Sequence, residues 1–359
     1  MKHTIITILL ATAALSTANA QYEINGKLDG LKADKMYLYV SGQAADSAVV
    51  AADGTYHMKG REPMQGANYV SLGNQESRIG ISFWLLNDKV SVTMHGTGEY
   101  ELTGAKVEDE YKDYVAHMTP LWEKKKADLS IIQKNLSRSG ELIDSLEAIW
   151  SPREDSLFLI WARQHPQSYV ALNHIYNKRN MDKYPLDRYM KMLAVLDTTT
   201  FKGRQWETMQ RTMAEDRAVG PGQPFPHDIN MPDAYGDQLR LSNLRGKYVL
   251  ITVSSPALRD YVADIPLRKS LYASLHSKGL EMIDVMFANA WSTIIRPWAY
   301  YGIKWTAVCD FKGWNSPFVA TLHIDHITQN YLVDPDGKIV AHNIFGIQLE
   351  NTLEKIFNN

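Results

Sequence analysis

Between Gly220 and Pro226 the chain reads Gly-Pro-Gly-Gln-Pro-Phe-Pro. Three prolines and two glycines in seven residues remove backbone donors and break the regular φ/ψ run, so neither a helix nor a central strand can pass through. A domain boundary is expected here. The chain has 359 residues, which at roughly 100 to 200 residues per domain allows two or three domains.

Beyond the boundary, Tyr248 to Val253 is a continuous apolar run of the buried-strand type, followed by a helical stretch to about Ser277. A second strand, Leu280 to Val285, and a helix around Trp291 to Tyr300 come next. Strand, helix, strand, helix implies parallel pairing and an α/β layer. The chain then closes on Tyr331-Leu332-Val333, the turn Asp334-Pro335-Asp336-Gly337, Lys338-Ile339-Val340-Ala341 and a helix from about Gln348 to Phe357.

Ahead of the boundary the pattern is different. From Tyr22 to about Thr103, short runs alternate apolar and polar residues between turns such as Asp53-Gly54 and Asn87-Asp88. This is the period-two signature of antiparallel strands with one wet face, as in a β-sandwich or small barrel. From about Val107 to Arg217 the spacing becomes helical, with Tyr111, Tyr114, Val115 and Met118 on one face. Ser151-Pro152-Arg153-Glu154 reads as a capping box that opens a helix carrying Leu157, Ile160 and Trp161. The expected organisation is residues 21–105 as a β domain, 106–218 as a helical connector and 219–359 as the α/β domain.

Residues 1–20 begin with Lys2, continue through an apolar run from Ile5 to Leu15 and end in Ala18-Asn19-Ala20. This is the pattern of a secretory signal peptide, and the run is too short to span a bilayer. Residue 21 is Gln, so a lipid-modified cysteine has no place at the cleavage site. The expectation is an exported protein of the periplasm or cell envelope, soluble after cleavage. Lys and Arg total 38 against 40 Asp and Glu, which gives no electrostatic footprint for nucleic acid. Lys124-Lys125-Lys126, among acidic neighbours, reads as a solvated face. No phosphate-binding loop, dinucleotide fingerprint or repeat is present, and no cofactor is implied.

Read together, Leu241-Ser242-Asn243-Leu244-Arg245-Gly246-Lys247, Asp310-Phe311-Lys312-Gly313-Trp314 and the Tyr331 to Ile339 hairpin resemble the thioredoxin fold of the exported TlpA/ResA-like thiol-disulfide oxidoreductases. The front half is similar to the β-rich domain of unknown function that often precedes such modules in the bacterial envelope. The resemblance implies a Cys-x-x-Cys pair at a helix start and a cis-proline before the hairpin. Here Leu258 and Tyr261 stand at the cysteine positions, Arg259 and Asp260 lie between them, and Thr328 takes the proline's place. Neither Leu nor Tyr can exchange disulfides. A cis bond before Thr328 costs roughly 2.5 to 4 kcal/mol, so a trans bond is expected.

The single cysteine, Cys309, excludes any internal disulfide and reads as a small buried hydrophobe. His323-Ile324-Asp325-His326 offers nitrogen and oxygen ligands at a spacing too weak to define a metal site, and none is assigned. Ser254, Ser255, Asp260 and His326 hold the residue types of a catalytic triad without its distances. What the resemblance leaves is a groove, with Leu258, Arg259, Asp260, Tyr261, Trp291, His326 and Thr328 as candidate lining. The expected function is that of a binding or scaffolding module without dithiol chemistry, whose partner is an extended polypeptide or another envelope protein. The alternative is an oxidoreductase-family enzyme acting through Cys309 or a repurposed site.

Overall fold

The computed structural model describes residues 21–358 except 97, 134–138 and 182–185, and gives the backbone alone at 132, 133, 139–145, 147 and 148. The expected signal peptide lies outside the described residues. The chain forms two compact units, Met1–Tyr176 with Met192–Glu207 and Asn177–Lys191 with Thr208–Asn359.

The first unit opens with β1 (Glu23–Asp29), β2 (Lys35–Val40), β3 (Gln43–Val49), β4 (Thr55–Lys59), β5 (Asn68–Asn74), β6 (Ile79–Leu85), β7 (Lys89–His95) and β8 (Tyr100–Thr103). They make two four-stranded sheets, ordered β4-β1-β7-β8 and β3-β2-β5-β6. The pairing is antiparallel throughout except for the parallel pair β1 and β7. Ile24, Met36, Leu38, Val70, Leu72, Phe83 and Val90 point inward at alternate positions and form the core. Asp53 caps the turn to β4 through Thr55, and Gly54 adopts a φ of 82° where any Cβ would lie 2.5 Å from the Leu28 carbonyl oxygen. Only glycine suits that position.

Five helices follow: α1 (Lys106–Gln133), α2 (Ser139–Gln164), α3 (Tyr169–Asn180), α4 (Leu186–Leu193) and α5 (Arg204–Ala218). The expected helix start at Ser151 is corrected, because α2 runs through Pro152. Trp150, Phe158 and Trp161 are buried along one stripe of α2. Burying three large side chains offsets the roughly 3 kcal/mol cost of an internal proline. Ile160 faces out instead.

The second unit contains β9 (Asn230–Pro232), β10 (Gln238–Arg240), β11 (Tyr248–Ser254), α6 (Arg259–Leu275), β12 (Leu280–Met286), α7 (Trp291–Tyr301), β13 (Thr306–Val308), α8 (Pro317–Thr321), β14 (Gln329–Val333), β15 (Ile339–His342) and α9 (Gly346–Phe357). The sheet order is β13-β12-β11-β14-β15, with β11, β12 and β13 parallel and the last two strands antiparallel. This is a thioredoxin-like α/β fold. Leu250, Met282 and Leu332 face α6, α7 and α9 on one side of the sheet. Ile251, Val253, Val285 and Tyr331 face α8 and the 225–241 arm on the other. The Gly220–Pro226 segment runs along β15, where Phe225 N–H donates to the Gly337 carbonyl at 2.9 Å and Gly222 N–H to Ile339 at 2.7 Å. A sheet edge is where prolines can sit without breaking a ladder.

Candidate functional site

The carboxyl ends of the parallel strands gather at one place, since Phe287 N–H, just past β12, donates to the carbonyl of Ser254, the last residue of β11, at 2.7 Å. Ends of this kind are where open α/β sheets hold ligands. Leu258 is the N-cap of α6 in extended conformation without a side-chain cap. Arg259 and Asp260, in the first turn, are exposed. Trp291 opens α7 with its ring 5.2 Å from that of Phe311, and Phe287 lies 5.0 Å from Trp314. Phe311 and Trp314 are exposed. Two aromatic pairs thus flank the strand ends.

Tyr261 is 1% exposed. Its hydroxyl donates to Asp284 at 2.6 Å, Trp305 Nε1 donates to the same oxygen at 2.7 Å, and Arg268 Nη1 donates to the other oxygen at 2.7 Å. The Arg268 guanidinium lies 4.8 Å from the Tyr261 ring centre and 5.0 Å from that of Trp305. Burial, followed by the negative Asp284, pushes the Tyr261 phenol far above the ordinary range. It stays a protonated donor. Arg268 and Asp284 escape a sequence reading based on periodicity, because Asp264 and Arg268 look like an ordinary surface pair at i, i+4. The available signal is Asp284 itself, a carboxylate within the apolar run Leu280 to Met286.

Thr328 Oγ1 lies 2.6 Å from Ser254 Oγ. The expected trans bond is corrected: the Ile327–Thr328 peptide is cis. Ile327 packs into the core on one side of the sheet while the Thr328 hydroxyl meets Ser254, so tertiary contacts override the local preference.

His326 is not with Tyr261. Its Nδ1 donates to Asp325, which also receives Gln329 Nε2 at 3.3 Å and Arg179 Nη1 at 3.3 Å. Among the described residues Ser254, Ser255, Asp260 and His326 form no chain of hydrogen bonds, and no group of three His, Cys, Asp or Glu is placed to hold a metal ion. Arg179 itself grips Asp216 through Nε at 2.6 Å and Nη2 at 2.7 Å, and Tyr189 donates to Asp216 at 2.7 Å. Burial alone would lower the Arg179 pKa, but the bonds to Asp216 and its charge outweigh it and push the value up. Cys309 follows β13, is 1% exposed, and burial pushes its thiol pKa up. That combination favours an inert thiol.

Residues 22–111 match the profile of the domain of unknown function DUF4369. The C-terminal part is similar to many solved structures, three of which follow. The thioredoxin domain of a thiol-disulfide oxidoreductase from Bacteroides vulgatus is 25% identical over 39% of this chain and 99% of that one, with a TM-score of 0.37. A thiol:disulfide interchange protein from Bacteroides sp. is 25% identical over 40% of this chain and 93% of that one, at 0.37. A thiol-disulfide oxidoreductase from Bacteroides fragilis is 22% identical over 36% and 98%, at 0.35. No curated protein matches the chain. Among the described residues no helix is long and apolar enough to cross a membrane.

Proposed function

We propose that this chain is an exported envelope protein whose thioredoxin-like unit binds extended polypeptide without dithiol chemistry. The observation that carries the reading is Tyr261: at the position matching the TlpA/ResA family's second cysteine stands a buried phenol committed to Asp284. The only thiol is sealed at Cys309. The ends of β11 and β12, Leu258, Thr328 and the aromatic pairs offer apolar surface and backbone to an extended chain, a mode of recognition that needs no thiol. The residue 1–20 pattern supports export.

The test uses the mature protein. Insulin reduction should stay at the background rate and be unchanged in Cys309→Ser. Reduced, carboxymethylated α-lactalbumin, an unfolded and thiol-blocked chain, should quench tryptophan fluorescence, and Trp314→Ala should weaken its binding by about tenfold, as expected of an exposed aromatic anchor. Disulfide turnover that survives Cys309→Ser, or unchanged affinity in Trp314→Ala, overturns the reading.

A further inference from the structure

The turn that carries Thr328 is fastened from outside the sheet. The Asp325 carboxylate ties both ends of the turn, since one oxygen accepts from His326 Nδ1 and from Gln329 Nε2 at 3.3 Å. The other oxygen accepts from Arg179 Nη1 at 3.3 Å. Arg179 lies at the end of α3 and is held by two short bonds to Asp216 on α5, which Tyr189 on α4 also donates to. Arg179, Tyr189 and Asp216 are buried, whereas the Asp325 side chain is 42% exposed. Between the two ends of the turn, Thr328 meets Ser254 at the end of β11 at 2.6 Å. A planar guanidinium can hold one carboxylate bidentately with two donors of its fork and still aim a third at another, a geometry that the three donors of an ammonium, all on one nitrogen, do not reproduce.

We propose that Arg179 is a positioning residue for the groove: by clamping Asp325 it sets the 325–329 turn and, through it, the placement of Thr328. Residues 177–191 and 208–218 are then more than a spacer, because they hold one rim of the groove. This rests on the groove reading of the preceding subsection. Arg179 touches no ligand and acts through Asp325.

The experiment is hydrogen exchange on the full mature chain without ligand, comparing wild type, Asp325→Asn and Arg179→Lys. Asp325→Asn leaves the Arg179–Asp216 pair intact and weakens the clamp together with the Asp325 bonds to His326 and Gln329, so Arg179→Lys, which leaves those two bonds in place, separates the clamp from them. Exchange at residues 325–329 should quicken by about three- to tenfold, with residues 186–193 and 204–218 unchanged within about twofold. Arg179→Lys keeps the charge but loses the planar fork that spans both carboxylates, so the same turn should quicken to a similar extent. Unchanged exchange at 325–329 in Asp325→Asn, or an Arg179→Lys effect confined to the helices, overturns the proposal. Unchanged exchange in Asp325→Asn still overturns the proposal if Arg179→Lys does not fold. Binding of carboxymethylated α-lactalbumin supplies the readout that a purely structural role would not move: Asp325→Asn should weaken it about threefold at unchanged global stability, and unchanged affinity also overturns the proposal. If wild type does not bind this probe, the groove reading fails, and the ligand-free exchange result still decides whether Arg179 sets the turn.

Discussion

Two groups in the second unit have the same composition and opposite settings. On one side of the sheet, Tyr261, Asp284 and Arg268 form a buried tyrosine–aspartate–arginine set. On the other side, Tyr189, Asp216 and Arg179 form another. In the first set every member comes from α6 or β12, and the guanidinium is closed in by the Tyr261 and Trp305 rings, with Nη2 buried and without a hydrogen-bond partner. In the second, three helices contribute, and the guanidinium extends to Asp325 at the surface. Under the proposed binding reading, the same chemistry serves as a sealed floor beneath the groove in one case and as a tether to its rim in the other. Connection to solvent, not residue type, separates the roles.

The largest expected difference comes from removing the two carboxylates. Asp284→Ala leaves the buried Arg268 with only Asp264, at 3.2 Å, as ion-pair partner, and breaking a buried pair in this way costs about 3 to 5 kcal/mol. Asp216→Ala leaves Arg179 its bond to Asp325 near solvent, so the loss should be smaller, roughly 2 kcal/mol. Guanidinium unfolding of both variants measures this. Equal losses would erase the distinction between floor and tether.

The second effect is confined to the tethered side. His342 stacks on Tyr331 with ring centres 4.3 Å apart, and burial, with Arg179 and His326 contributing, pulls it down to about 4. A histidine whose folded pKa lies below the unfolded value near 6.5 contributes stability that is complete above about pH 6.5 and lost as the pH falls towards 4. Because the side chain is only partly covered, the loss should be on the order of 1 to 3 kcal/mol. Denaturation midpoints from pH 7 to pH 4 should fall in wild type and fall less in His342→Phe. An identical pH dependence in the two would place the titration elsewhere.

The elements of the α/β unit were legible because its signals are local. Apolar runs fixed β11 and β12, and the Asp334-Pro335-Asp336-Gly337 turn fixed the hairpin, whereas the prolines after Gly220 follow the end of α5 at Ala218 inside a compact unit that runs on from Thr208. The groups that distinguish this chain are not local. Arg179 and Asp325 are separated by 146 positions, and no periodicity links them. Pro152 reads as a helix start because a capping box is a four-residue pattern, while the reason for continuing through it is a stripe of aromatics longer than one turn. The seven candidate groove residues form a list in sequence, but the sheet divides them, with His326 on the Arg179 side and Tyr261 on the other.

The smallest expected effect gives the finest comparison, the loss of one phenol oxygen from each set. Tyr261→Phe leaves Asp284 with Arg268 and Trp305, and Tyr189→Phe leaves Asp216 with both Arg179 bonds. Neither carboxylate is orphaned and each ring keeps its packing, so each change should cost only about 1 kcal/mol. Burial and the adjacent carboxylate hold both phenols far above their ordinary pKa, so this difference should persist unchanged from neutral pH to pH 10. The two variants should diverge in binding. Tyr261 lies in the first turn of α6, three residues after Leu258, so losing its anchor frees the proposed groove floor and should weaken carboxymethylated α-lactalbumin by a few-fold, about what 1 kcal/mol supplies. Tyr189 acts only through Asp216, and Arg179 keeps its hold on Asp325 without it, so its loss should leave the affinity within about twofold. Equal weakening at equal stability would mean that both sets carry the groove and that the sealed floor has no separate part in it.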